Sequence, residues 1–196
     1  MSERNLFLIA GPNGSGKTTS SFDMLKACSI DEYVNADAIA YGLSPLQYDT
    51  VAIKSGRLML ERIHYLLEQN KSFAFETTLA SRSFVNLIHQ AKKQGYTVSL
   101  IFLWMKDVKL AIERVERRVE SGGHDIPREI IIRRYKKGLT NFFNLYLPIV
   151  DRWAFYDNST SSPEFVAGKL SKNGSLEILD SKLWKTLLSR EVENVS

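Results

Sequence analysis

Gly11, Pro12, Asn13, Gly14, Ser15, Gly16, Lys17 and Thr18 spell G-x-x-x-x-G-K-[ST] directly after the apolar run Leu6–Ala10. The spacing suits phosphate chemistry. Glycines let the backbone bend tightly and turn its N–H groups inward around a triphosphate. Lys17 then reaches the outer phosphates, the Thr18 hydroxyl is placed to ligate Mg²⁺, and Thr19 continues the same turn. The N-terminus of the following helix adds its positive dipole end. The pattern predicts binding of a nucleoside triphosphate.

A phosphotransferase also needs positioning, charge neutralisation and a carboxylate to orient or deprotonate the acceptor hydroxyl. In open α/β sheets such groups gather at the C-terminal ends of the strands. Three candidates stand there: Asp37, Glu76 with Thr77 and Thr78, and Asp157 with Asn158. Asp37 is read as the carboxylate for the acceptor hydroxyl, or as the N-cap of a helix starting at Ala38. Glu76 suits an acceptor hydroxyl, a Mg²⁺ organised through water, or a salt bridge. Thr77 and Thr78 offer hydroxyls to the same acceptor, unless they only extend the strand.

Arginines form the third group. Arg114 and Arg118 lie one turn apart on a common helical face, with Arg117 beside them, and Arg133 and Arg134 follow on the next helix. Between them, residues 120–127 form a turn able to close over phosphates. A lid arginine neutralises charge developing in transfer and is worth roughly 10³–10⁵ in rate; otherwise a charged face simply meets water. Arg118 and Arg134 are the preferred pair, and Arg114 is assigned to the acceptor. His124, after two glycines, reads as loop structure.

These groups must be held by alternating apolar runs and helical-period segments, the mark of βαβ assembly around a parallel sheet. Strands are expected near Leu6–Ala10, Tyr33–Asn35, Ser72–Glu76, Thr97–Met105 and Trp153–Tyr156. Helices are expected over Lys17–Ala27, Thr50–Gln69, Phe84–Gln94 closed by Gly95, Asp107–Glu120, Pro127–Tyr146 and Ser181–Arg190. Asn173-Gly174, flanked by Phe165–Leu170 and Leu176–Leu179, signals a two-residue hairpin. The expected fold is an α/β P-loop NTPase of kinase-like, three-layer form with a mostly parallel central sheet, plus a C-terminal hairpin and helix. The 196 residues suit a single domain, with a lid near 114–134 and an appendage over 163–196.

Net charge is 26 − 22 = +4, too mild to demand a nucleic-acid partner. The single cysteine, Cys28, excludes an internal disulfide and reads as a small, buried or half-buried helix residue. The first strand starts close to Met1, leaving no room for a secretory signal, and no apolar run approaches the ~20 residues that span a bilayer. A soluble, cytoplasmic protein is expected.

The ordered series Gly11–Thr19, Asn35-Ala36-Asp37-Ala38-Ile39-Ala40, Phe75-Glu76-Thr77-Thr78-Leu79, Arg114 to Arg118, Gly122–Pro127, Ile132–Tyr135 and Tyr156–Ser159 resembles the zeta toxin family of P-loop kinases, in a compact chromosomal form. The resemblance implies ATP and Mg²⁺ held by Lys17 and Thr18, Asp37 as catalytic base, Glu76 near a sugar, lid arginines on phosphate, and Asn158 beside the adenine. It further implies UDP-N-acetylglucosamine as a candidate acceptor and an antitoxin as a candidate partner. A GTPase is excluded by the missing guanine reader, and an ABC-type ATPase by the missing acid pair after Thr97–Met105. A nucleic-acid end kinase would need a basic groove lined by aromatics, for which Tyr135, Phe142 and Phe143 are the candidates. An ATP-binding regulatory protein is the remaining alternative.

Overall fold

The computed structural model describes residues 3–45 and 47–193. Seven strands form one sheet in the order β2-β3-β1-β4-β5-β6-β7. β1 (Arg4–Ala10), β2 (Glu32–Val34), β3 (Phe73–Thr77), β4 (Tyr96–Trp104) and β5 (Arg152–Asp157) run parallel, whereas β6 (Glu164–Lys169) and β7 (Glu177–Ile178) are antiparallel. The expected α/β fold with a mostly parallel sheet is therefore present. β4 is buried along its whole length between β1 and β5, as its unbroken apolar run requires. β3 lies between β1 and β2, so Glu76, rather than Asp37, ends the strand beside the P-loop.

One face of the sheet packs on α3 (Tyr48–Glu68) and α4 (Phe84–Lys93) through Met59, Ile63, Leu66, Phe84 and Leu87. The same core takes in Trp184 of α7 (Ser181–Glu193), whose ring stacks on Trp153 with centroids 5.3 Å apart. The other face packs on α1 (Lys17–Ala27) through Leu25, with Phe7, Ile9, Ala74 and Ile101 beneath it. α5 (Val108–Glu120) and α6 (Arg128–Asn141) form a helical hairpin with its own small core of Ala111, Val115, Ile126 and Ile131.

Several local expectations need correcting. Helix α2 (Ala36–Leu43) starts earlier than Ala38, and its cap is Asn35, whose Oδ1 accepts from the N–H groups of Asp37 and Ala38. Asn and Asp both cap helices well, and the residue upstream takes the role. Residues 128–146 are not uniformly α-helical: Phe142–Tyr146 is a π-helical turn, with Leu147 N–H donating to Phe142 O. The extra residue per turn carries Phe142, Phe143 and Tyr146 into the core. Asn173-Gly174 does not make a two-residue hairpin, since Gly168 pairs with Glu177 and a longer connection intervenes. Gly174 N–H instead closes a turn on Ser171 O. Cys28 is exposed and lies just past α1.

Candidate active site

The P-loop bends where its glycines permit. Gly11 has φ +142°, and a Cβ there would fall 2.2 Å from the Leu103 carbonyl oxygen of β4. Gly16 has φ +76° and caps α1 without any side chain, so the first N–H groups of the helix are left for an incoming anion. A Cβ on Gly16 would also meet the Asn158 amide at 2.9 Å. That amide donates to Ser15 O at 2.7 Å, so Asn158 fastens the loop after β5 to the P-loop. Its side chain is buried in that task.

Glu76 is the hub of the site. Strand alternation turns Phe73 and Phe75 to the α3–α4 face and Ala74 and Glu76 to the α1 face. Thr77 consequently projects opposite to Glu76, and the two residues belong to different sides of the strand end. On the α1 side, Glu76 Oε2 accepts from Thr18 Oγ1 at 2.8 Å, Tyr33 OH at 2.7 Å and Asn35 Nδ2 at 2.7 Å. Its Oε1 lies 3.5 Å from Lys17 Nζ, which also donates to Pro12 O at 2.9 Å. Burial and the neighbouring Glu76 charge both raise the Tyr33 pKa, so Tyr33 stays a donor.

This arrangement tests whether the residues suit a divalent cation. The Thr18 hydroxyl gives its proton to Glu76, which leaves its lone pairs for a cation at the P-loop. Among the described residues no group of three His, Cys, Asp or Glu side chains gathers for a metal. One hydroxyl, a nearby carboxylate and substrate phosphates are what Mg²⁺ commonly uses, because it keeps several waters. The residues fit.

Three neighbouring hollows lie at this end of the sheet, two of them lined by Glu76. A cavity of about 260 Å³ over the P-loop is lined by Gly14, Lys17, Thr18, Thr19, Asp37, Glu76, Arg114 and Arg118. A second, of about 170 Å³, is lined by Asn13, Lys17, Asn35, Asp37, Glu76, Thr77, Thr78 and Arg134. It shares Thr77, Thr78, Met59, Phe84 and Arg134 with a third of about 680 Å³, which adds Arg57, Arg133 and Lys137. Asp37 lines the first and second, at the junction between nucleotide side and outer chamber.

The arginines divide. Arg134 reaches Asn13 Oδ1 at 3.3 Å and faces the outer chamber. Arg118 lines the P-loop cavity and donates to His124 O at 3.0 Å. Arg114, expected at the acceptor, lines the cavity over the P-loop. It donates to the carbonyls of Asn158, Ser159 and Thr160, holding the loop after β5. In the turn expected to close over phosphates, Gly123 N–H donates to Arg118 O and Ile126 is buried, while Glu120, Ser121 and Gly122 are exposed. Tyr135, Phe142 and Phe143 offer no stacking platform, because Tyr135 OH donates to Met105 O and both phenylalanines are buried.

Tyr33, Arg57 and Lys137 escape a motif-based reading, and Asn35 enters it only as the first residue of the Asn35–Ala40 series, with no role of its own. Tyr33 is opposite Ala74 in register and therefore shares a face with Glu76, a relation that exists only once β2 and β3 are known neighbours. Lys137 stands one turn beyond Arg133, which marks a shared helical face.

The outer chamber is walled by an unusual loop. Leu79 is buried with φ +54°, and its N–H donates to Thr77 Oγ1 at 3.0 Å. Asn141 Nδ2 donates to Leu79 O at 2.6 Å, and Tyr146 OH to Ser81 O at 2.5 Å. Gly138 passes so close that a Cβ would be 2.4 Å from Thr78 O. The α6–π segment thus fastens the loop after β3 to the helix that carries Arg133, Arg134 and Lys137.

Comparison with known proteins agrees with this geometry. The zeta toxin family model matches residues 2–152. An uncharacterized protein of Haemophilus influenzae is 32% identical over 134 residues, 68% of this chain and 94% of its own length. Among solved structures, the chain is similar to AvrRxo1-ORF1 in its complex with AvrRxo1-ORF2 (TM-score 0.77, 17% identity, 94% of this chain). It spans 63% of the length of that chain. It is also similar to a structure of the PezAT chromosomal toxin–antitoxin system of Streptococcus pneumoniae (TM-score 0.64, 17% identity, 98% of this chain and 85% of the other). A kinase from Chloroflexus aurantiacus, described as putative in that structure, aligns with TM-score 0.54 and 15% identity over 67% of this chain and 76% of its own. At such identities the structures speak for the fold, that of P-loop kinases, and the family match speaks for descent. The chain belongs to the zeta toxin family.

Proposed function

We propose that the protein is an ATP-dependent kinase that transfers the γ-phosphoryl group to a hydroxyl of a small, negatively charged molecule. One observation carries the reading: Asp37 lines both the P-loop cavity and the hollow leading to the outer chamber. A carboxylate at that junction meets an acceptor hydroxyl where it meets the γ-phosphate. A structure of AvrRxo1-ORF1 with ATP, similar in fold at TM-score 0.75, supports the choice of nucleotide.

In the reaction Asp37 accepts the proton of the acceptor hydroxyl. The acceptor oxygen forms the new P–O bond as the bond from the γ-phosphorus to the bridging oxygen breaks, and ADP carries away the released charge. Lys17 and the P-loop N–H groups hold the nucleotide phosphates. Arg118 from the nucleotide side and Arg134 from the chamber side neutralise charge on the group in transit. Mg²⁺, when bound, would supply charge neutralisation for the nucleotide phosphates. Thr18 is the ligand this chain offers it, with Glu76 behind.

The chamber argues for the acceptor's charge. Arg57, Arg133, Arg134 and Lys137 line it, and among the described residues no Asp or Glu does. Its volume of about 680 Å³ suits a molecule larger than a simple sugar. A sugar nucleotide satisfies both properties, and UDP-N-acetylglucosamine is the specific acceptor we propose, Thr77 and Thr78 meeting its sugar hydroxyls. An antitoxin-type protein partner belongs to the same reading, on the likeness to PezAT. The test is paired: Lys17→Ala abolishes tight ATP binding, while Asp37→Asn keeps ATP binding and loses transfer by about 10²–10⁴-fold. Full activity in Asp37→Asn removes the base role.

A further inference from the structure

Asn35 opens the Asn35–Ala40 series and lines the hollow beside Lys17, and its amide joins the two acidic residues of the site. It is only 7% exposed. Its Oδ1 accepts from Asp37 N–H at 2.7 Å and Ala38 N–H at 3.2 Å, fixing the first turn of the helix that carries Asp37. Its Nδ2 donates to Glu76 Oε2 at 2.7 Å, and that oxygen also takes the Thr18 hydroxyl. We propose that Asn35 is a positioning residue that sets the carboxylate behind the cation site and the helix of the proposed base relative to one another. The inference rests on the nucleotide-site reading above.

The amide is suited to this because it is both donor and acceptor on one rigid plane. The acidic and hydroxyl side chains that also cap helices each lack one half. Asp would cap α2 but set a second carboxylate against Glu76. Ser would cap α2 but is too short to reach Glu76 and has no amide donor. The oxygen has no second route to α2 among the described bonds, whereas Tyr33 steadies Glu76 from β2 alone. Removing the Asn35 donor therefore leaves Glu76 held by Tyr33 and Lys17, less firmly aimed at Thr18, and α2 no longer registered to it.

Partners that orient a metal-site ligand typically contribute 10–100-fold in metal affinity. The experiment measures ATP affinity by calorimetry, in EDTA and with Mg²⁺, for the full chain and its Asn35→Ser and Asn35→Asp variants. We expect both variants to keep the thermal midpoint and the affinity in EDTA. Each loses about tenfold or more of the gain that Mg²⁺ gives, Asn35→Asp at least as much as Asn35→Ser. Adding Asn35→Ser to Glu76→Ala causes no further loss, because the two act through one bond. Conversely, Glu76→Ala speeds amide hydrogen exchange at Asp37 and Ala38, whose N–H groups bond to Asn35 Oδ1.

A Mg²⁺ gain in Asn35→Ser equal to that of the parent protein overturns the inference and leaves the nucleotide site standing. So does unchanged exchange at Asp37 and Ala38 in Glu76→Ala. A parent protein whose ATP binding ignores Mg²⁺ overturns both the inference and the cation site on which it rests. A midpoint lowered equally by Ser and Asp reduces Asn35 to a structural cap and overturns the inference too.

Discussion

Thr18 and Glu76, 58 residues apart in the chain, meet at 2.8 Å where β1 and β3 end side by side, the threonine hydroxyl donating to the carboxylate. Glu76 lines both the P-loop cavity and the hollow next to it, and the direction of the bond leaves the Thr18 oxygen with its lone pairs directed elsewhere. Thr18→Val keeps the volume and removes the hydroxyl. A hydrogen bond to a charged group is worth about 1.5–3 kcal/mol. We expect ATP affinity in EDTA to stay within a few-fold of the parent. Affinity with Mg²⁺ should fall at least about tenfold, read by calorimetry.

Arg114 is a fastening for the loop after β5. Its guanidinium serves three carbonyls from Asn158 to Thr160, and Asn158 in turn holds Ser15. Arg114→Ala frees that loop from the P-loop's side. ATP binding is expected to weaken about tenfold, at about 1.4 kcal/mol per decade, while the KM of the acceptor stays unchanged. A raised acceptor KM with normal ATP affinity would return Arg114 to the acceptor.

Gly138 tests the fastening between α6 and the chamber wall. A methyl there falls 2.4 Å from the Thr78 carbonyl oxygen, a backbone atom that cannot step aside cheaply. Gly138→Ala should lower stability by about 1–3 kcal/mol in denaturant titration. It should also raise the acceptor KM without changing ATP affinity, since Thr77 and Thr78 move and the P-loop does not.

The phosphate site was fully legible in the chain because its chemistry is local: the motif, its strand and its helix are contiguous. Asp37 and Glu76 were legible as strand-end acids, and Gly95 and Asp107 as caps, with Gly95 at φ +81° and Asp107 accepting from Lys109 N–H. What was hidden depends on which strands become neighbours. The placement of β3 between β2 and β1 brings Tyr33 and Asn35 onto Glu76, and no local pattern states that order. Arg114 and Arg118 share a helical face in sequence and in space. Their partners, the carbonyls of residues 158–160 and 124, lie in loops that periodicity does not reach.

Asp151 governs an acid-sensitive joint at the far end of β4. Burial alone would raise its pKa, but hydrogen bonding from Val98 N–H and the ammonium of Lys92, 3.1 Å away, hold it below the ordinary 3.8. A carboxyl lowered on folding stabilises the native state above its unfolded pKa, and that contribution is lost as pH falls through the folded value. Denaturation midpoints should therefore decline as pH drops below about 4. In Asp151→Asn that part of the decline should disappear, at the cost of lower stability at neutral pH.

The measurement closest to the central claim follows the γ-phosphate itself. The protein is incubated with Mg²⁺, UDP-N-acetylglucosamine and ATP labelled in its γ-phosphate, and the products are resolved by mass spectrometry. The account predicts a sugar nucleotide heavier by one labelled phosphate, formed by the parent protein and absent with Asp37→Asn. Label recovered solely as inorganic phosphate, at equal rates in parent and Asp37→Asn, would contradict it.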